Sequence, residues 1–304
     1  MGGGVNQPYR RLVFFNDCNN GDNHYSRQFL RHISSSLGVE CAYSHFRCDR
    51  ILGDLPMLLV RIDTRPLHQE SFHLSKDGTL YMNTWIGHRN MKWFSPNGCT
   101  LHNNYRMFSE NCKAIGVSLP PEVDCIPTID FGALGIRGVS SVGERTILVS
   151  NGPCTSEQAY NFNMAPVVEA LAEKHPSCHF FVTDPFPTTK GNILDANGAV
   201  SAPSGKSNLI ELSHLSLSCP IIVGRGSGPF CFAHVRENLM DPDKTFIVFG
   251  NGAPEGHWAT MSDYGLPKHA KQLWGECHVN GTGDHFSLAF DMIDGEINAK
   301  FGSR

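Results

Sequence analysis

The sequence predicts an α/β protein built from two parallel-sheet domains, and three observations predict it. Short apolar runs alternate with amphipathic stretches along most of the chain, the pattern of strands joined by crossover helices. That pattern breaks over Ile129 to Glu144 (IDFGALGIRGVSSVGE), where four glycines and two serines replace periodicity, and it restarts afterwards. The chain has 304 residues, more than one hydrophobic core usually fills. The expected organisation is an N-terminal domain over 1–140, a C-terminal domain over 141–282, and a last helix over 283–304 that returns to the first domain.

Composition narrows the function classes. A formal charge of −4 gives no electrostatic footprint for nucleic acid. The eleven cysteines form no CxxC pair, and an odd number at irregular spacing reads as reduced intracellular thiols. The opening MGGGVNQPYRR has no apolar run of a signal peptide, and no stretch reaches the length of a membrane span. The reading is therefore a cytoplasmic protein, with peripheral membrane contact left open.

In the first half, Leu12 to Phe15 is a strand and Asn16 to Asp22 a loop. From His24 to Leu37, Tyr25, Phe29, Ile33 and Leu37 recur every four residues, which predicts an amphipathic helix. Asp22 or Asn23 would cap it and Gly38 would end it. Asp22 thus falls where a strand hands over to a helix, the edge at which open α/β sheets bind ligands. Its carboxylate is either a cap or a general base for an incoming hydroxyl. Met57 to Ile62 and Thr79 to Trp85 are further strands, and a helix runs from about Leu101 to Ile115. His68 and His73 lack metal-ligand spacing on a helix and are not read as a zinc pair. Trp85, His88 and the aromatics after them offer apolar faces and donors suited to a sugar, or else a loop packed on itself.

In the second half, Thr146 to Val149 is a strand. Glu157 to Lys174 is a helix capped by Ser156, His179 to Val182 a strand, and Asn208 to Ser216 a helix. Ile221 to Val223 is a strand that runs into Gly224-Arg225-Gly226-Ser227-Gly228-Pro229, and a helix is expected over Phe230 to Glu237. Glycines let a backbone approach a ligand, and the first N–H groups of a helix favour a diphosphate. An ordinary tight turn is the alternative. Thr245 to Phe249 is a strand and His285 to Lys300 a helix. Asp241-Pro242-Asp243 reads as a turn rather than a cation site, and no metal site is expected.

At this point the residues carry a resemblance. Two such halves look like the GT-B architecture, two Rossmann-like domains facing a cleft. The segments NLIELSHL from Asn208, CPIIVGRGSGPF from Cys219 and TFIVFG from Thr245 resemble the ADP-heptose–lipopolysaccharide heptosyltransferase family. In that family a short helix precedes a strand, a VGNDSGP turn, a helix, and a strand ending in FG. Gly21-Asp22 falls where that family has its GD motif. The resemblance covers about Arg11 to Gly38 and Thr146 to Gly250.

It implies an inverting, metal-independent glycosyltransferase that moves a sugar from a nucleotide-sugar donor to a glycan or other hydroxyl acceptor. No cofactor is implied beyond the nucleotide sugar as co-substrate. Asp22 would be the base, with His24, Arg27, Trp85 and His88 on the acceptor side. Asn151, Gly152, Ser156, Arg225, Gly226, Ser227, Gly228, Pro229 and Phe230 would hold the donor. Two departures stand out: Gly226 replaces an Asp that touches the donor sugar, and no lysine lies between Asn151 and Ala159 for the phosphates. A different donor follows, with Arg225 neutralising the leaving diphosphate. The alternatives are a sugar-nucleotide epimerase or hydrolase of the same fold, and a non-catalytic nucleotide- or carbohydrate-binding protein.

Overall fold

In the computed structural model the described residues are 9–17, 19–36, 39–44, 49–67, 70–84, 101–114, 116, 119, 124–136, 143–154, 159–200, 208–226, 228–251, 269–277 and 283–302. They form two compact units, Met1–Thr128 and Ile129–Arg304. The division falls where the Gly-rich stretch begins. Phe131, near its start, packs edge-on against His214 of the second unit at 4.9 Å, which ties that stretch to the C-terminal core.

The first unit is a five-stranded sheet. Its elements are β1 (Arg11–Phe15), α1 (Asn20–Ser36), β2 (Glu40–Ser44), β3 (Leu58–Val60), β4 (Phe72–Leu74), β5 (Thr79–Asn83) and α2 (Leu101–Ala114). The strand order is β3-β2-β1-β5-β4, with only β4 antiparallel to its neighbour. The predicted stripe on α1 is real: Tyr25, Phe29 and Ile33 are buried. Phe29 meets Tyr105 and Phe108 of α2 at 5.5 and 6.3 Å, and Phe108 meets Phe14 of β1 at 6.2 Å, so both helices cover one face of the sheet.

The second unit is an all-parallel six-stranded sheet. It comprises β6 (Thr146–Ser150), α3 (Ala165–Lys174), β7 (His179–Val182), β8 (Ile193–Asp195), α4 (Leu209–Ser216), β9 (Ile221–Arg225), α5 (Gly228–Phe232), α6 (Arg236–Leu239), β10 (Thr245–Gly250), β11 (Lys271–Glu276) and α7 (His285–Phe301). The order β11-β10-β9-β6-β7-β8 is the doubly wound arrangement of a dinucleotide-binding sheet. Strands β6, β9 and β10 are buried at every position, as a sheet covered on both faces requires.

Two helices differ from expectation. The helix expected from Glu157 starts only at Ala165, because Pro166 occupies its first turn and can sit nowhere deeper in a helix. The helix expected over Phe230 to Glu237 is two short ones, α5 and α6, separated by an extended Val235 at φ −114° and ψ 157°. The last helix, α7, packs on α3 and on β9, β10 and β11 of its own unit, burying Ala289, Ile293 and Ile297. The sequence reading sends that helix back to the first domain. Among the described residues Cys41, Cys112, Cys178, Cys219 and Cys277 are thiols. No described helix is long and apolar enough to cross a membrane.

Gly224 in β9 allows the closest approach around the turn. A Cβ there would lie 2.8 Å from Ser150 Cβ and 3.0 Å from a ring carbon of Phe230. Gly224→Ala is therefore expected to destabilise the protein by about 1–3 kcal/mol through overpacking. Urea unfolding of the variant would show this as a lowered midpoint; an unchanged midpoint would mean that β6 and α5 have room to part.

Candidate functional site

In the second sheet β6 and β9 lie side by side, and the chain leaves them toward opposite flanks, to β7 and β8 from one and to β10 and β11 from the other. Ligands of open α/β sheets bind outside the strand carboxyl ends at such a point. A cavity of about 180 Å³ sits at the strand ends, and its lining includes Asn151, Asn161, Asn163, Asp184, Phe186 and Arg225.

Amide side chains fix the walls of this cavity. The Asn151 amide pairs with the backbone of Asp184, accepting its N–H at 2.9 Å and donating to its carbonyl at 2.6 Å. Asn161 does the same to Cys154 at 2.7 and 3.0 Å. Each amide acts as a short piece of strand, so Asn151 braces β7's end instead of presenting its side chain to a donor. Asp184 follows β7, the second strand of the doubly wound order. A carboxylate there reads ribose hydroxyls in sheets of this plan. Its side chain is exposed and makes no hydrogen bond with a described residue. Sequence reasoning missed Asp184; the signal was a carboxylate two residues past the strand His179–Val182.

Arg225 is the second correction. It is only 2% exposed. Its guanidinium donates to four backbone carbonyls: Tyr160 at 3.2 Å, Asn151 at 3.0 Å, Gly152 at 2.9 Å and Phe162. It also lies over the Phe162 ring, 5.0 Å from the centroid. Desolvation by burial draws its pKa down, opposed by the Cys154 and Cys277 thiols. With four of its five N–H groups on carbonyls, Arg225 is engaged with the backbone here rather than held out toward a ligand. The carbonyls it collects come from both ends of the β6–α3 loop, which is also why residues 159–164 are not helical.

Of the turn after β9, Gly226 and Gly228 to Phe230 are described. Gly228 has φ +40°, a conformation that favours glycine, and a Cβ on it would meet no atom of a described residue within 4 Å. Pro229 brings no N–H. The Phe230 ring is core, edge-on to His234 at 5.1 Å and to Phe246 at 5.8 Å. A helix of five residues sums little dipole, so individual amides rather than a macrodipole would have to act here. Ser156, Ser227, Trp85 and His88 lie outside the described residues.

In the first unit Asp22 lies inside α1, at its third residue, rather than before it. Its Oδ2 accepts the N–H of Asn19 at 3.0 Å while its own N–H donates to the Asn19 carbonyl at 3.1 Å. That is the carboxylate half of a capping box, with Asn19 as the cap. Asp22 remains partly exposed at the carboxyl end of β1. His24 and Arg27 are corrections: both are fully buried and cannot touch an acceptor. Arg27 pairs with the buried Asp54, donates to Ile51 O at 3.2 Å and lies 3.4 Å from His24 Nδ1. Burial lowers the Arg27 pKa to about 10, although Asp54 opposes the shift. Asp17, not singled out by sequence, accepts from Thr64 Oγ1 at 2.8 Å. Thr64 lines a second cavity of about 330 Å³ with Arg61, Ile62, Asp63 and Arg65. Asp241 Oδ1 accepts the N–H of Asp243 at 2.9 Å, the turn expected there.

Two Rossmann-like α/β units, with a switch-point cavity in the second, define a fold of the GT-B type. No family model and no curated protein matches the chain. Among solved structures it is similar to the glycosyl transferase family 9 protein of Veillonella parvula DSM 2008, at 11% identity and TM-score 0.55 over 98% of this chain and 99% of that one. It is also similar to E. coli heptosyltransferase WaaC with ADP, at 9% identity and TM-score 0.53 over 94% and 99%. The iron-containing heptosyltransferase TibC, solved with ADP-D-β-D-heptose, matches at 12% identity and TM-score 0.54 over 97% and 76%. At such identities the likeness shows the fold.

Asp54 also holds Arg31, at 2.5 Å, so loss of Arg27 removes charge-assisted hydrogen bonds and buried packing but leaves the carboxylate one cation. Arg27→Met is expected to cost about 1.5–3 kcal/mol of stability, read by urea unfolding. An Arg27→Met protein of wild-type stability would reopen the acceptor role.

Proposed function

We propose that the protein is an inverting, metal-independent glycosyltransferase that takes a nucleotide sugar as donor and a glycan or other hydroxyl compound as acceptor. The observation that carries this reading is the near-full-length likeness of both units to glycosyltransferase structures. The donor belongs to the second unit. Its ribose would lie against Asp184, and its diphosphate against backbone amides of the β6–α3 loop and of the turn from Gly226 to Phe230. Gly226 offers no carboxylate to the sugar, which favours a donor sugar other than heptose.

Transfer needs a base at the acceptor hydroxyl and stabilisation of the departing diphosphate. Asp22 is the proposed base. Its contact with the Asn19 N–H engages Oδ2 and fixes the carboxylate at the end of β1. Direct attack of the acceptor oxygen on the anomeric carbon forms the new glycosidic bond as the bond to the diphosphate breaks. The acceptor proton passes to Asp22, and the anomeric configuration inverts.

Asp22→Asn keeps the size and the cap geometry but not the base. With a turned-over nucleotide sugar, the transfer rate should fall by about 10²–10⁴ while donor affinity holds. Equal loss of both would make Asp22 purely structural. Loss of transfer in Asp17→Asn with Asp22→Asn active would move the base to the neighbouring carboxylate. A chelator should leave the rate unchanged, and a rate restored only by added Mn²⁺ or Mg²⁺ would end the metal-independent reading. Asp184→Ala should raise the Kd of a ribonucleoside diphosphate by about tenfold. The 2′,3′-dideoxy analogue should not feel the change; an equal loss for both would take Asp184 off the ribose.

A further inference from the structure

We propose that Arg225 is a positioning residue that turns the β6–α3 loop into an anion site, acting through the backbone without touching the ligand. The inference rests on the donor reading above and names how its diphosphate is held. A buried guanidinium ordinarily faces a carboxylate. Arg27 does so, with Asp54. Arg225 does not: among the described residues its partners are carbonyl oxygens and the Phe162 ring. The charge is held by dipoles, and no carboxylate of a described residue pairs with it.

Peptide geometry makes that arrangement directional. In a planar trans peptide the N–H points opposite to the C=O. The carbonyls of Asn151, Tyr160 and Phe162 turn toward Arg225, so the next N–H groups, those of Gly152, Asn161 and Asn163, turn away from it. Pro153 follows Gly152 and has none. None of these three N–H groups donates to a described residue, and Asn161 and Asn163 line the cavity. On this reading the loop offers the positive ends of its peptide dipoles to a ligand, beside a guanidinium that lines the same cavity and has no carboxylate partner among the described residues. A pyrophosphate group is the ligand this suits. It also answers the missing lysine of this loop: the cation sits beneath the backbone instead of reaching over it.

Inorganic pyrophosphate added to ¹⁵N-labelled protein tests the claim first. It should shift the amide resonances of Gly152, Asn161 and Asn163. Pyrophosphate binding that leaves those three unmoved, or no binding at millimolar concentration, overturns the proposal. Arg225→Gln should weaken pyrophosphate and nucleoside diphosphate binding by about tenfold or more while the parent nucleoside loses little. Arg225→Lys, which keeps the charge without the fork, should restore part of the diphosphate affinity. An equal loss for nucleoside and diphosphate, or a lysine variant no better than the glutamine, would make Arg225 a structural clamp only. If Arg225→Gln does not fold, the amide shifts in the wild-type protein still decide. Shifts at Asn161 and Asn163 in a protein that transfers no sugar would sustain this site and remove the glycosyltransferase reading. Transfer with a donor KM unchanged in Arg225→Gln would do the reverse.

Discussion

The structure around the candidate site depends on one buried cation. Arg225 closes the end of β9, gathers the carbonyls of residues 151, 152, 160 and 162, and thereby fixes a loop that would otherwise have no regular structure to hold it. Its Phe162 partner stacks in turn on His285 at the start of α7, with ring planes 14° apart and 5.5 Å between centroids. The loop, the strand end and the last helix are thus one packed assembly. Arg27 in the first unit is equally buried and solves the same desolvation problem with a carboxylate. Of the two arginines, Arg225 is the one that lines a cavity and has no carboxylate partner among the described residues.

Side chains in this unit repeatedly serve to hold the main chain, at the cavity and away from it. Asn151 and Asn161 pair with main-chain atoms. Asn192 donates to three carbonyls, of Ala172, His175 and Cys178, at the turn that leads from α3 into β7. Sites made of amides need rigid support, because an N–H that drifts loses both the hydrogen bond and its dipole orientation. The central strands supply that rigidity by being buried throughout.

Much of this was legible in the sequence, for stated reasons. Apolar runs such as Thr146 to Val149 and Thr245 to Phe249 are strands buried on both faces, and continuous hydrophobicity is how such strands read. Short or polar strands were not legible: β4 and β8 have three residues each, and β11 carries Lys271, Gln272 and Glu276. β2 was missed because only Ala42 and Tyr43 of its five residues look like core. The loop after β6 and the turn after β9 were placed at strand carboxyl ends, as the structure has them, but the packing of Arg225 onto backbone carbonyls was not foreseen. An arginine after a glycine turn reads as an anion ligand, and nothing in the sequence reports that four distant carbonyls converge on it. The same holds for Arg27, whose Asp54 partner is 27 positions away. Asp22 lies at the carboxyl end of β1 as read, but the helix begins earlier than its hydrophobic stripe, with the Asp22 carboxylate accepting the Asn19 N–H at its first turn.

The account stands on the second unit holding a nucleoside diphosphate at the junction of β6 and β9. A crystal structure of the protein soaked with its best-bound nucleoside diphosphate tests this most directly. The account predicts the diphosphate on the amides of Asn161 and Asn163, the ribose against Asp184, and the Arg225 guanidinium still on its carbonyls. A nucleotide bound elsewhere, or an Arg225 swung out to grip the phosphates, would contradict it.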